Sequence, residues 1–184
     1  SVAEKNYKGL VIGNEGDNFS AGANLGMLFM LAGNREFDEI SLSVQAFQNT
    51  MMRARYSSIP VVVATSGLTL GGGTELSMHA DQVRAHTETY MGLVEFGVGI
   101  IPSGGGTKEM TLRTSDMYKK GDPELNILME NFMTIATAKV ATSSKEAVAM
   151  GLLKQTDKHT LNRMSLLSEA KNDVLNLYNE GYTQ

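Results

Sequence analysis

The sequence predicts an α/β domain whose strands lie early in the chain and whose last third is helical. Two short aliphatic runs, residues 8–14 (K-G-L-V-I-G-N) and the β-branched residues 61–63, have the make-up of buried strands. Small-residue or glycine turns follow both, and helical periodicity follows the turns, which is the alternation of an α/β domain. From Asp122 onward no strand signal recurs. A single domain over residues 1–184 is expected, with an α/β core that carries the active site in 1–113 and a helical part in 114–184.

Taken in order, the first strand ends at a turn, Asn14-Glu15-Gly16-Asp17. Residues 19–24 (F-S-A-G-A-N) are small and let a backbone approach a ligand closely. Leu25, Met27, Leu28, Phe29, Met30 and Leu31 are too densely apolar for a surface face. Core is the expectation for them, and an acyl pocket shaped by adaptable methionines is the rival. Residues 37–56 have a helical period with Ile40, Val44, Phe47, Met51 and Met52 near one face. Ser58-Ile59-Pro60 ends that helix, since the residue before a proline is pushed out of the helical region.

The strand beginning at Val61 is expected to break at Gly67, with Gly71, Gly72 and Gly73 closing the turn into a helix. That helix has Glu75 in its first turn and Leu76, His79 and Ala80 on one side. Strand, glycine turn and helix in this order gather backbone N–H groups and a positive helix end at one point, which suits a developing negative charge. Residues 81–85 read as another short strand, and residues 90–95 lead into a loop spaced by Gly97 and Gly99. Residues 102–107 (P-S-G-G-G-T) form a second glycine turn before a helix over 107–113. Pro123 suits a helix start, and Ser143-Ser144-Lys145-Glu146 is a capping box opening a helix that ends at Gly151. Leu161, Met164, Leu167, Val174 and Leu177 carry helical spacing toward Gly181.

The 184 residues suffice for one sizeable core, and 42% apolar with 20% charged residues is ordinary for a globular domain. A net charge of −4 with no basic cluster argues against nucleic acid as a partner. Cysteine is absent, which excludes disulfides and thiolate metal sites and agrees with a cytoplasmic address. No apolar run approaches a membrane span. His79, His86 and His159 have no metal-ligand or Ser/His/Asp spacing, so no metal is expected. His79, at a helix C-terminus where the dipole favours a cation, reads as structural. Asp157, Lys158 and the charges of the last helix read as a solvated face. Neither glycine turn has the spacing and Lys-Ser/Thr ending of a phosphate loop. Glu75 follows a glycine turn, and Glu95 lies between Val94 and Phe96, where an unpaired carboxylate is expensive. Two carboxylates beside small-residue turns are what general acid–base chemistry needs. A helix N-terminal charge and a solvated loop residue are the plainer readings of the same pair.

Residues 68–81 (L-T-L-G-G-G-T-E-L-S-M-H-A-D) resemble the signature of the crotonase, or enoyl-CoA hydratase/isomerase, superfamily. F-S-A-G-A-N resembles the family's F-x-A-G-A-D segment, and residues 95–107 (E-F-G-V-G-I-I-P-S-G-G-G-T) its E-x-x-x-G-x-x-P-G-x-G-G-T segment. Residues 143–153 (S-S-K-E-A-V-A-M-G-L-L) are similar to a later helix. Asn24, Thr74 and Ser66 depart from the usual Asp, Cys and Asn without removing a catalytic group. The resemblance implies a crotonase-like spiral of ββα units with a helical C-terminal part, truncated at both ends. It implies an oxyanion hole of the Ala23 and Gly72 N–H groups, and CoA or substrate contacts at Ala21, Gly22, Ala23, Asn24, Gly71 and Gly72. Glu75 and Glu95 fall on the family's catalytic glutamates, and Met27, Leu28 and Met30 on the segment expected to shape the acyl pocket.

The implied activity is that of a hydro-lyase, adding water to a trans-2-enoyl-CoA in fatty-acid β-oxidation, with coenzyme A as part of the substrate and no covalently bound cofactor. An isomerase using Glu95 alone, or an acyl-CoA-binding fragment without turnover, are the alternatives. Residues 43–60 and 180–184 are similar to bacterial two-activity proteins that join a 3-hydroxyacyl-CoA dehydrogenase to a hydratase. In such a protein NAD would belong to a separate domain. Homotrimers, hexamers or association with the rest of a longer polypeptide are the partners so implied, beside the acyl-CoA thioester.

Overall fold

Val61, Val62 and Val63 are at most 1% exposed and open a ten-residue strand whose first six residues are all buried. The computed structural model describes residues 2–121 and 123–184, and of Glu124 the backbone alone. Among the described residues four parallel strands lie in the spatial order β1 (Leu10–Ile12), β2 (Val61–Leu70), β3 (Gln82–Gly92) and β4 (Lys158–Thr160). A parallel sheet needs helical crossovers on its faces. Between the strands run α2 (Leu25–Gly33), α3 (Phe37–Arg55), α4 (Gly72–His79), α5 (Gly106–Met117), α6 (Glu124–Ala136) and α7 (Ser144–Ala149), while α1 (Val2–Asn6) precedes β1 and α8 (Leu166–Asn179) follows β4.

The pairing registers explain how two cores form. Val62 and Ala64 pair with Gln82 and Arg84, so these positions share one face, while Val63, Thr65, Val83 and Ala85 share the other. Val62 and Ala64 pack with Leu166, Ala170 and Val174 of α8. On the other face Val83 and Ala85 join Met78 of α4, Met110 of α5, Ala147 of α7 and Leu152 and Leu153 beyond it.

Several elements differ from expectation for physical reasons. β2 does not break at Gly67; it runs through, with a register shift between Thr65 and Gly67 and a positive φ of 55° that glycine tolerates. The backbone oxygen of Asp17 occupies the space a side chain would need there. The strand expected over residues 81–85 extends to Gly92, and α5 runs on past residue 113. β4 is a strand in the region expected to be helical; its Lys158-His159-Thr160 sequence has no apolar alternation, and backbone pairing to Arg84, Ala85 and His86 makes it. Asp122 itself lies outside the described residues, and Pro123 is the N-cap of α6. Leu161 and Met164, expected on the last helix, precede α8 and are 86% and 91% exposed.

Two of the charges expected on a solvated face, Asp157 and Asp173, are structural, whereas Lys171 is exposed as expected. Asp157 is buried and accepts the N–H groups of Val83 at 2.7 Å and Lys154 at 2.6 Å. Asp173 of α8 is 2% exposed and pairs with Arg84 and with Lys158. The capping box forms with one change: Ser143 Oγ accepts the Glu146 N–H, while the Glu146 carboxylate reaches Thr142 N at 2.8 Å rather than Ser143.

The dense apolar segment after Asn24 is helix α2, and it buries none of its residues. It packs mainly on α3, so Met27, Phe29 and Met30 face outward and are 51%, 61% and 62% exposed. No helix among the described residues is long and apolar enough to cross a membrane.

Candidate active site

Ligands of parallel α/β sheets bind outside the carboxyl ends of the strands, and here that place is the end of β2. The chain turns at Gly71 (φ 54°, ψ −123°) directly into α4. Thr74 pins this turn: its buried hydroxyl lies 2.6 Å from Thr69 O and 3.0 Å from Gly92 O, and accepts the Gly92 N–H at 3.2 Å. Gly71 N–H donates to Gly92 O at 2.9 Å. The turn is thus tied to the ends of both β2 and β3. As the first residue of α4, Gly72 presents an N–H with no intrahelical acceptor.

A second segment comes alongside. Ser20 bridges β2 in parallel, donating to Leu68 O and accepting from Leu70 N, both at 2.9 Å. The chain then leaves the sheet beside Gly71, where Gly22 Cα stands 3.7 Å from the position a Cβ on Gly71 would take. Gly22 N–H is engaged by Ser20 Oγ at 3.2 Å, whereas among the described residues Ala23 N–H has no acceptor.

Both segments open on a cavity of about 530 Å³. Ala21, Gly22, Ala23, Gly71 and Gly72 line it, together with Glu75 and Glu95. Its apolar wall comes from Leu25 and Leu28 of α2, Val44, Phe47 and Met51 of α3, and Val98 and Ile100. The α3 contribution was visible only as a helical stripe in the sequence, with nothing to say that the stripe faces a cavity. Of the residues expected to shape an acyl pocket, Leu28 lines the cavity, while Met27 and Met30 lie outside it because they project from the exposed side of α2. Asn24 also lies outside the lining; its side chain accepts the Met27 N–H at 3.2 Å and caps α2.

The two glutamates are held differently. Glu75 is 1% exposed, and its Oε1 accepts the Gly106 N–H, the first of α5, at 2.8 Å. Burial pushes its carboxyl above the ordinary carboxylate range, and the N–H groups of Gly106, Gly104 and Gly105 pull against that rise. The second glycine turn therefore has a purpose the sequence did not disclose: it cradles Glu75. A Cβ on Gly104 would stand 2.6 Å from Glu75 Oε2. Glu95 begins a single turn of 3₁₀ helix, Glu95–Val98, and its Oε2 is buried without a hydrogen-bond partner among the described residues. Burial pushes its carboxyl up to about 7; its own backbone N–H opposes the rise and the nearby Glu75 charge adds to it. Glu95 Oε1 is 3.2 Å from the Cβ position of Gly71, so this carboxyl stands against the turn that leads to Gly72.

An N–H pair, two unlike carboxyls and an apolar wall around one cavity are the parts of an acid–base site acting beside a carbonyl. A family model described as Enoyl-CoA hydratase/isomerase matches residues 2–157. The chain belongs to that family. A Bacillus subtilis (strain 168) protein named as a probable 3-hydroxyacyl-CoA dehydrogenase is 48% identical over 179 residues, 97% of this chain and 22% of that protein. A probable enoyl-CoA hydratase of the same organism is 32% identical over 121 residues, 63% of this chain and 46% of that protein. The chain thus spans less than half the length of either relative. Among solved structures, an enoyl-CoA hydratase from Polaromonas sp. JS666 superposes with a TM-score of 0.74 at 24% identity, covering 96% of this chain and 63% of that one. That likeness shows the crotonase fold.

Proposed function

We propose that this enoyl-CoA hydratase/isomerase family member hydrates a trans-2-enoyl-CoA to the 3-hydroxyacyl-CoA, and that Glu75, Glu95, Ala23 and Gly72 carry the reaction. The observation that supports this reading is that both carboxyls line one cavity beside both N–H donors.

The thioester oxygen accepts the Ala23 and Gly72 N–H groups. Glu75 takes a proton from water, and the hydroxide oxygen bonds to C3 as the C2=C3 electron pair shifts toward the thioester. The negative charge on the thioester oxygen is what the two N–H groups and the start of α4 stabilise, and losing one such donor typically costs about a hundredfold or more in rate. Glu95 then delivers its proton to C2. One water is consumed, its hydrogen resting on Glu75 and replacing the proton lost by Glu95 once the two exchange. The environments fit these roles. Glu95, pushed up to about 7 and without a donor on Oε2, holds a proton near neutrality. Glu75, also raised by burial, has backbone donors that oppose the rise and favour its ionised form. Ala21, Gly22 and Gly71 would leave room for the CoA-side atoms, and the walls of α2 and α3 would receive the acyl chain.

The test is loss of the conjugated enoyl-thioester absorbance on adding protein. It should be abolished, falling by about a hundredfold or more, in both Glu75→Gln and Glu95→Gln. Full turnover by Glu75→Gln would sink the hydratase reading and leave an isomerase that uses Glu95 alone; acyl-CoA binding without turnover by the unaltered chain would leave a binding module. The relative named as a dehydrogenase supports placing NAD chemistry in a separate part of a longer polypeptide. The exposed apolar side chains of α2 and α6, Met27, Phe29, Leu128 and Phe132 among them, would then meet that polypeptide or further copies of the chain.

A further inference from the structure

His79 ends α4 four residues after Glu75, is 1% exposed, and does not line the cavity. Its Nδ1 lies 2.7 Å from Glu75 O. A carbonyl only accepts, so Nδ1 carries the hydrogen and Nε2 of the neutral ring carries the lone pair. That lone pair meets the ammonium of Lys108, in the first turn of α5, at 3.2 Å. Glu109 is beside it, with Oε1 3.1 Å from Lys108 Nζ and 3.5 Å from His79 Nε2, and with Oε2 accepting from Arg55 Nη1 of α3 at 2.8 Å. The imidazole also supports the glycine turn: a Cβ on Gly105 would stand 2.9 Å from His79 Cε1. Gly105 belongs to the turn whose N–H groups hold the Glu75 carboxylate. One buried ring therefore touches the Glu75 main chain on one side and the cradle of the Glu75 side chain on the other.

We infer that His79, in its neutral Nδ1–H form, is a positioning residue for Glu75: linked through Lys108 and Glu109, it fixes the start of α5 and the Gly104-Gly105-Gly106 turn against α4, so that the turn's N–H donors stay on the Glu75 carboxyl and hold it in one place. The groups facing the ring are Lys108 and Glu109 from α5 and Arg55 from α3. Burial pushes the imidazole below its ordinary range, the Glu75 carbonyl and Glu109 oppose this, and Lys108 and Arg55 reinforce it. The ring stays an acceptor for Lys108 across neutral pH. The inference rests on reading Glu75 as the base toward water.

A ring that merely fills space would be replaceable without touching the titration of Glu75. The deciding measurement is that titration, followed by carbon NMR of side-chain-labelled glutamate in the substrate-free protein, with Glu75→Gln assigning the signal. His79→Leu should raise the Glu75 midpoint by about one pH unit and lower kcat about tenfold, with KM unchanged. His79→Asn, which keeps a donor for Glu75 O, should recover part of both. Lys108→Met leaves the ring in place, removes its partner, and should move the Glu75 midpoint in the same direction, so the inference stays testable if His79→Leu fails to fold. A Glu75 midpoint and kcat unchanged in either folded variant would overturn it. If the unaltered protein hydrates no enoyl-CoA while the Glu75 midpoint still follows His79, the hydratase reading falls and the positioning role stands.

Discussion

Glu75 and Glu95 line the same cavity but are held in different ways: Glu75 Oε1 accepts the Gly106 N–H at 2.8 Å, whereas Glu95 Oε2 is buried with no partner among the described residues. Backbone donors stabilise a carboxylate, and burial without them stabilises the protonated acid. Burial raises both carboxyls, and the backbone donors on Glu75 alone are what the proposed division into base and acid draws on.

The first prediction concerns pH and Glu95. Its carboxyl is raised from 4.5 to about 7 in the folded protein, chiefly by burial. The folded state therefore holds this proton more tightly than the unfolded chain does. The stability tied to that proton is complete below the ordinary value of 4.5 and is lost as pH rises through about 7. Glu95→Gln cannot ionise, so urea midpoints should show it more stable than the unaltered protein at about pH 8, with the gap closing as pH falls toward the ordinary carboxylate range. A gap that widened on acidification would contradict the burial of this carboxyl.

Gly104 tests the cradle. A side chain there would meet Phe47 Cε1 and would stand 2.6 Å from Glu75 Oε2, so the turn must move away from the carboxylate or Glu75 must turn. Overpacking of this kind costs about 1–3 kcal/mol, and Gly104→Ala should lose that much in denaturant titration. Turnover should fall by more than the lost folded fraction explains, because the displaced group is the proposed base. Gly99→Ala is the control: its Cβ meets nothing within 4 Å, although its φ of +82° adds backbone strain. It should lose stability while leaving the turnover of the folded protein nearly intact.

Thr74 tests the other turn. Its hydroxyl joins Thr69 O, Gly92 O and Gly92 N–H, and it is fully buried. Thr74→Val keeps the shape and leaves those main-chain groups without their partner, a cost of about 1–3 kcal/mol. Since the same groups hold Gly71 and Gly72 in place, kcat should fall with stability. A valine variant with unchanged midpoint and kcat would show that the turn is fixed by the Gly71 N–H to Gly92 O bond alone.

That Glu75, Ala23 and Glu95 line one cavity was legible because each sits on a contiguous motif: the glycine turn, the small-residue loop and an apolar setting. What was not legible depends on residues distant in sequence. Gly106 lies 31 residues from Glu75, and nothing in either segment announces that one N–H will find the other's carboxylate. The α2 segment misled because apolar density says nothing of what covers a helix; only Leu25 and Leu28 face the cavity. β4 carried no signal because three residues that pair by backbone need no apolar alternation. Asp157 and Asp173 looked solvated since their partners, Val83 and Arg84, come from a strand 74 and 89 residues away.

That last pair gives a prediction about the sheet rather than the site. Asp173 takes Arg84 Nε and Nη2 on its two oxygens, both at 2.7 Å, and Lys158 Nζ at 2.8 Å. These contacts join α8 to β3 and β4 across the face filled by Val62 and Ala64. Burial works to raise the Asp173 carboxyl, but Arg84 and Lys158 outweigh it and hold the group below its ordinary 3.8. Its contribution is therefore present above that value and fades as pH falls through the lower, folded-state value. Asp173→Asn takes away one of the two carboxylates that Arg84 holds, leaving it Glu169 Oε2 and His159 O, both at 3.2 Å, and should cost about 1–3 kcal/mol near neutrality. The loss should shrink on acidification, as the unaltered protein gives up the same ionised group. Replacing both partners, with Arg84→Met and Asp173→Leu together, removes the guanidinium along with the carboxylate and should restore part of the lost stability. A double variant as unstable as Asp173→Asn would show that the pair stabilises α8 beyond mutual neutralisation.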